Sequence, residues 1–217
     1  MRGCVIFDMD GVLIDSQPLH FQIDREVLKT AGASPNAADV ERRAGMIHRE
    51  RWAAYKQDFS LSLAVDDLIG MNLKALMETF EKADLHPVHG VVKLLRLLKD
   101  SGIQTVVASS SAMPLIGLIL DRLCITEYFD AVITAEDVQN GKPAPDVFLK
   151  AAQTIGCRPD NCTVIEDSSF GILAAKRAHM FCIAYDNPTS GKQDLSAADR
   201  IIRSFQEINN DLNWLKN

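Results

Sequence analysis

Five short apolar runs recur along the chain, and each is apolar at consecutive positions. They occupy residues 4–7, 104–108, 131–134, 163–165 and 181–184. A half-exposed strand alternates between apolar and polar residues, whereas an unbroken apolar run is typical of a strand covered on both faces. The sequence therefore predicts a parallel sheet with helices on both sides.

Helical patterns separate these runs. Apolar residues recur at helical spacing over 91–98, which ends near Ser101 and Gly102, and further helices are predicted over 115–123, 145–155 and 169–178. Alternation of strand and helix implies right-handed crossovers and a doubly wound α/β fold. The polar stretch 186–196 is predicted to be a surface loop.

One segment interrupts this alternation. Residues 17–86 contain no convincing strand, and helices are predicted near 18–31, 37–44, 49–58 and 65–83. A helical block of about 70 residues is too long for an ordinary crossover between strands. We therefore expect an inserted helical domain between the first and second strands.

Charged and hydroxyl side chains stand where four of the predicted strands end. Parallel strands share one carboxyl edge, and α/β proteins bind their ligands beyond that edge. The sequence therefore predicts a single site. It would be built from Asp8 and Asp10 after the first strand, Ser109, Ser110 and Ser111 after the second, Lys142 after the third, and Glu166 and Asp167 after the fourth.

These residue types suit phosphoryl transfer. A carboxylate can attack phosphorus, but two negative groups repel each other unless a hard cation such as Mg²⁺ screens them. Lysine and hydroxyl donors hold the phosphoryl oxygens as charge builds up. A second acid, two residues after the nucleophile, can protonate the leaving oxygen and later deprotonate water.

Each group also has a structural explanation when it is taken alone. An Asp after a strand starts a turn or caps a helix, and a Ser triplet caps a helix. Lys142 would be a solvated loop lysine, while Glu166 and Asp167 would offset a helix dipole. Their joint occurrence after four strands favours a functional site.

Charge and hydropathy narrow the class of partner. The net charge of -6 argues against nucleic acid, which requires a basic face. No apolar stretch approaches the roughly 18 residues of a membrane span, and the short apolar N-terminus is not typical of a signal peptide. We expect a cytoplasmic monomer that acts on a small phosphorylated metabolite.

The five cysteines follow no metal-binding or disulfide pattern. They are Cys4, Cys124, Cys157, Cys162 and Cys182, and no pair has CxxC spacing. An odd number without close pairs indicates reduced thiols in a reducing compartment. No zinc site is expected from this spacing.

The site residues resemble the four motifs of the haloacid dehalogenase superfamily. The motifs are Asp8-Met9-Asp10-Gly11-Val12, Ser109, Lys142-Pro143-Ala144-Pro145-Asp146 and Glu166-Asp167-Ser168. The sequence is most similar to the β-phosphoglucomutase-like branch, and the similarity extends over nearly the whole chain, including 198–205. A second acid at position 10 is absent from the dehalogenase branch.

The resemblance implies a role for each motif residue. Asp8 would be the nucleophile and a metal ligand, and Asp10 the general acid and base, with its carbonyl oxygen on Mg²⁺. Ser109 and Ser110, with Lys142, would bind the phosphoryl group. Asp167 would bind the metal, and Glu166 would be a ligand or would support the ligands.

The resemblance also implies a Rossmann-like catalytic core of residues 1–15 and 88–217, with a helical C1 cap of residues 16–87. Hinges are expected near 14–16 and 86–90. Arg49, which follows Gly45-Met46-Ile47-His48, matches a cap arginine that contacts a distal substrate group, and His20 matches a position linked to cap closure. An exposed arginine and a packing histidine are the simpler explanations.

Two departures from the family pattern affect the predicted reaction. A cap lysine that is common in relatives is replaced by Met71 or Asn72, with Lys74 one helical step away, and the usual Pro-Gly of the second hinge is His89-Gly90. The first departure favours a phosphatase over the alternative, a β-phosphoglucomutase-type isomerase. A phosphoryl-accepting receiver module is the other alternative, but it requires neither Asp10 nor the helical insert.

Overall fold

The structure, a computed structural model, describes residues 3–43 and 46–215. Six parallel strands form one sheet in the order β3-β2-β1-β4-β5-β6. They are β1 (Cys4–Phe7), β2 (Gln104–Ser109), β3 (Ala131–Thr134), β4 (Cys162–Glu166), β5 (Phe181–Tyr185) and β6 (Arg200–Ile202). The five predicted strands are confirmed. β6 has only three residues and one of them is exposed Ile201, so it carries no buried apolar run that would have predicted it.

Side chains of each central strand alternate between two buried faces. Val5 and Phe7 belong to the cluster formed with α5 (Val91–Asp100) and α6 (Met113–Arg122). The neighbouring positions, Cys4 and Ile6, pack on the other face, against α7 (Asp146–Thr154) and α8 (Ser169–Arg177). Because both faces are covered, every position of β1 is apolar.

The predicted helical insert is also confirmed, and we call it the cap. It comprises α1 (Gln17–Thr30), α2 (Ala37–Glu41), α3 (His48–Asp58) and α4 (Val65–Lys82). The end of the second predicted helix at Ala44, and Gly45 of the Arg49 motif, lie outside the described residues. Within α4 the buried residues recur every fourth position, and this face packs against α1, α3 and α6.

The two chain segments that join the cap to the sheet lie side by side. Ile14 and Pro87 form an antiparallel bridge, and the N–H of Val88 donates to the carbonyl oxygen of Leu13 at 2.9 Å. The two predicted hinge segments therefore lie next to each other, beyond the carboxyl end of β1.

Within the described residues, no helix combines the length and the apolar character that crossing a membrane requires.

Candidate active site

The strand register brings the predicted site residues to one cavity. Phe7 of β1 pairs with Val107 of β2 and with Ile165 of β4, so Asp8 and Glu166 leave the sheet at the same level. β1 and β4 flank the point where the strand order reverses, which is where such sheets bind ligands. The cavity, of about 180 Å³, lies between this edge and the cap. It is lined by Asp8, Asp10, Ser109, Ser110, Lys142, Glu166, Asp167 and, from the cap, His20.

Lys142 is buried and bridges two carboxylates. Its side chain is 5% exposed, with Nζ 2.5 Å from Asp8 Oδ1 and 2.8 Å from Glu166 Oε1. Nζ also donates to the carbonyl oxygen of Ala108 at 3.2 Å. Burial alone would lower the pKa of Lys142, but the two carboxylates raise it overall. The structure therefore does not fit a solvated loop lysine.

Negative charge exceeds positive charge at this end of the cavity. Asp8, Glu166 and Asp167 are buried, and their carboxylate oxygens lie within 4.8 Å of one another beside Lys142. Burial raises the pKa of Asp8 to about 7 although Lys142 opposes the shift. Burial, together with the charges of Glu166 and Asp8, raises the pKa of Asp167 well above its usual range. A divalent cation with oxygen preference fits this donor set, because it would supply the missing positive charge.

Glu166 is already fully engaged by protein groups. Its Oε1 accepts from Lys142, and its Oε2 accepts the N–H groups of Asp167 and Ser168, both at 2.7 Å. A Cβ at Gly171 would come within 1.6 Å of Oε1, so only glycine fits there. Glu166 thus links Lys142 to the turn into α8.

The loop after β5 closes over Asp167. The Ser190 hydroxyl donates to Asp167 Oδ2, and Asn187 Nδ2 donates to the carbonyl oxygen of Gly11 at 2.9 Å. Gly11 has φ +85°, and a Cβ there would lie 1.9 Å from Asp167 Oδ2. Asn187 and Ser190 are buried. The prediction of a surface loop over 186–196 was wrong for these two residues, because polarity indicates a loop but not the buried groups that it binds.

Asp10 is held by both the core and the cap. It accepts from Ser111 Oγ of the core at 2.7 Å and from Ser16 Oγ of the first connecting segment at 2.6 Å. His20 Nε2 of α1 lies 2.9 Å from Asp10 Oδ1. Burial opposes the charged form, but the charge of His20 and these hydrogen bonds lower the pKa of Asp10 overall. The position of this carboxylate therefore depends on the position of α1.

Serine side chains at the end of β2 also line the cavity. Ser109 ends β2 and is buried, and its Oγ accepts the N–H of Ser111 at 3.1 Å. Ser110 also lines the cavity. These hydroxyl groups line the same cavity as Lys142, and such donors can hold phosphoryl oxygens.

The structure brings Arg51, and not Arg49, to the cavity. The Arg49 side chain is 67% exposed and pairs with Asp66 on the cap surface. Arg51 lines the cavity, with Nε 3.3 Å from Asp24 Oδ2. Nε has no aligned hydrogen bond, so this contact is an ion pair. The Arg49 assignment from the motif therefore does not fit the position of this side chain.

A buried polar network stands behind Arg51. Asp24, which is 1% exposed, accepts from Asn72 Nδ2 at 3.0 Å and from the Tyr55 hydroxyl at 3.2 Å. His48 also lines the cavity, and its Nε2 lies 2.9 Å from Asn72 Oδ1. Burial, followed by the charge of Arg51, lowers the pKa of His48 to about 4. At neutral pH the Arg51 charge is thus balanced by Asp24, and apolar Met46, Ile69, Leu73 and Leu76 line the cavity beside these polar groups.

The α3 pattern explains why sequence analysis missed these residues. Trp52 and Tyr55 mark the buried face of the helix, and His48 shares it. Arg49 and Arg51 flank this face on opposite sides, so helical periodicity does not distinguish them. The distinction comes from Asp24, a partner on another helix.

The chain is similar in sequence and in fold to known proteins. Residues 5–185 match the sequence profile of the haloacid dehalogenase-like hydrolases. Fructose-1-phosphate phosphatase YqaB of Escherichia coli K12 is 33% identical over 180 residues, covering 81% of this chain and 92% of that protein. The β-phosphoglucomutase of Bacillus subtilis is 30% identical over 217 residues, covering 96% and 92%. CbbY from Rhodobacter sphaeroides, crystallised with phosphate, superposes over 100% of both chains with a TM-score of 0.91 at 22% identity.

Proposed function

The chain belongs to the haloacid dehalogenase-like hydrolase family, and on that basis we propose that it is a Mg²⁺-dependent phosphatase for a small phosphorylated sugar. The observation that carries the proposal is the buried Asp8, paired with Lys142 at 2.5 Å at the carboxyl end of the central strand. The names of sugar-phosphate phosphatases among its relatives support the same reaction class.

In the proposed reaction, Asp8 Oδ attacks the phosphorus atom and the bond to the sugar oxygen breaks. Asp10 gives its proton to that oxygen, and the sugar leaves. Asp10 then takes a proton from water, which attacks the phosphorus of phospho-Asp8, releases inorganic phosphate and restores the Asp8 carboxylate. Ser109, Ser110 and Lys142 hold the phosphoryl oxygens throughout.

Asp8 and Asp167, with the carbonyl oxygen of Asp10, would hold the Mg²⁺ ion. Bound there, the ion would screen the repulsion between the nucleophile and the phosphate dianion. Glu166 would keep Lys142 and the turn after β4 in place, since both of its oxygens are engaged by protein donors.

We also propose that residues 1–15 and 88–217 act as the catalytic core and residues 16–87 as a lid. Contact between His20 and Asp10 supports this division, because a movement of α1 would change the hydrogen bonds of the acid. Proton donation from Asp10 requires release from the partners that lower its pKa. Cap position and acid–base chemistry would then be coupled.

The cap wall favours a phosphatase over the isomerase. Asn72 is buried and donates to Asp24, while Lys74 is exposed and lies 3.9 Å from Glu78, so neither offers a lysine to a second phosphate. Among the described cap residues that line the cavity, Arg51 is balanced by Asp24, and His20 is paired with Asp10. Among the described lining residues, the cap therefore offers no unpaired cation to the second phosphate of a bisphosphate.

The test is release of inorganic phosphate from a panel of sugar monophosphates, with and without Mg²⁺. We expect turnover only with the ion, and acid quenching should trap phosphate on Asp8. Incubation with β-glucose 1-phosphate and a bisphosphate primer provides the counter-test. Formation of glucose 6-phosphate without phosphate release would show an isomerase instead.

A further inference from the structure

Three cysteines meet at the opposite end of the sheet from the active site. Cys4 begins β1 and Cys162 begins β4, and the two are paired in register with their Sγ atoms 3.1 Å apart. Cys157 follows α7 and completes the group, in which all Sγ atoms lie within 4.8 Å of one another. Cys4 is more than 150 positions from the other two, so sequence spacing did not reveal the cluster.

Burial of the cluster is uneven. Cys4 and Cys162 are fully buried, whereas Cys157 is partly exposed and provides access from solvent. All three thiols are free. In the part of the chain that the structure describes, no His, Asp, Glu or further Cys joins this group.

We propose that Cys4, Cys157 and Cys162 bind one thiophilic cation of the Cu(I) class through three sulfur ligands. Thiolate sulfur selects soft cations such as Cu(I) and Zn(II), whereas the carboxylates at the other end of the sheet suit a hard cation. Structural Zn(II) sites use four protein ligands, and this cluster offers three sulfurs. The ligand number therefore favours Cu(I) over Zn(II).

The proposed ion would join the first residues of β1 and β4 and the loop after α7. Its site is separate from the proposed phosphatase site, since Asp8 follows the other end of β1 and Glu166 is the last residue of β4. The inference does not depend on the proposed enzymatic function. Phosphatase activity should remain when the thiol site is disabled.

The test is anaerobic titration of the reduced full-length chain with Cu(I) against a colorimetric Cu(I) chelator. We expect one ion per chain to resist the chelator, and Cys157→Ser to weaken this binding at least about tenfold. Cys124→Ser is the matched control, because Cys124 is exposed and outside the cluster. A parallel titration with Zn(II) should show weaker binding. Equal Cu(I) affinity in wild type and Cys157→Ser, or tighter binding of Zn(II), would overturn the proposal.

Alkylation of the wild-type chain gives a second readout that requires no variant. Iodoacetamide should label both Cys124 and Cys157 in the metal-free protein, and one equivalent of Cu(I) should protect Cys157 alone. Labelling of Cys157 that is unaffected by Cu(I), or a disulfide between Cys4 and Cys162 in place of a bound ion, would contradict the assignment. Peptide mass spectrometry distinguishes these outcomes.

Discussion

The two walls of the cavity each contain a buried carboxylate beside a cation, but their charge balance differs. On the core side, Lys142 faces three carboxylates, and burial raises the pKa of Asp8 to about 7. On the cap side, Asp24 faces Arg51 and also accepts hydrogen bonds from Tyr55 and Asn72. The core pair is left with unbalanced charge, whereas the cap pair is complete in itself. Chemistry is thus expected from the first wall and substrate selection from the second.

The largest difference between the two walls, in turnover and in stability, should appear when Asp8→Asn is compared with its cap counterpart Asp24→Asn. We expect Asp8→Asn to reduce kcat for phosphate release by at least about 10⁴-fold, because the nucleophile is lost. The free energy of unfolding should not fall, since burial opposes the Asp8 charge. Steady-state assays of phosphate release measure kcat, and urea unfolding measures the free energy of unfolding.

Asp24→Asn should instead lower the free energy of unfolding and leave the chemical step largely intact. Loss of the ion pair leaves Arg51 uncompensated at a largely buried site, which should destabilise the protein by about 3 kcal/mol. Hydrolysis of p-nitrophenyl phosphate should persist under folding conditions. If Asp8→Asn retained activity, or if Asp24→Asn abolished it while folded, the division between the two walls would be wrong.

Asp10→Asn should have the next largest effect on turnover. Loss of the acid and base should slow both formation and breakdown of phospho-Asp8 by about 10²–10⁴-fold. Rapid-quench measurement of the phosphoenzyme separates the two steps. His20→Asn is the cap-side comparison, and a smaller change is expected because it alters only a partner of Asp10. Normal kinetics in Asp10→Asn would remove the acid–base assignment.

His48 should make the stability of the cap sensitive to acid. Its folded pKa is about 4, below the ordinary value of 6.5, so between these values the unfolded chain binds the proton and the folded chain does not. Stability is therefore present above pH 6.5 and is lost as the pH falls toward 4. Between pH 7 and about pH 4.5 this amounts to about 2.5 kcal/mol.

Urea unfolding of wild type and His48→Gln across this range measures the effect. The difference between the two proteins isolates His48 from the carboxyl groups of the core, which titrate in both. His86→Gln, at an exposed position, is the control and should follow the wild type. If the free energy of unfolding changed with pH equally in wild type and His48→Gln, the folded protein would not resist protonation of this histidine.

The smallest expected effect distinguishes the two cap arginines. Arg51→Met should lower kcat/KM for a sugar phosphate about tenfold, through the loss of one or two hydrogen bonds to the substrate. Hydrolysis of p-nitrophenyl phosphate should change less, since that substrate lacks the sugar hydroxyls. Arg49→Met is the matched control and should leave both values unchanged, because the side chain lies outside the cavity. Equal losses in the two variants would contradict the assignment of Arg51.

The difference between the walls also explains what the sequence could predict. Asp8 and Glu166 follow apolar runs whose register is set by a parallel sheet, so their meeting point follows from local patterns. Asp24, Asn72 and His48 come from three helices whose relative placement depends on packing. No local pattern specifies that placement, which is why the motif pointed to Arg49.

The pairing of the segments at Ile14 and Pro87 makes the cap replaceable as a unit. Since the chain leaves and re-enters the core at adjacent points, a short turn could replace the cap without separating those points, and the cost in loop-closure entropy would be small. The core is thus open to grafting, and helical domains exchanged at this junction would carry a new selectivity to the same chemistry. A capless version, joined directly across the bridge, would show how much of the catalytic machinery assembles without the lid.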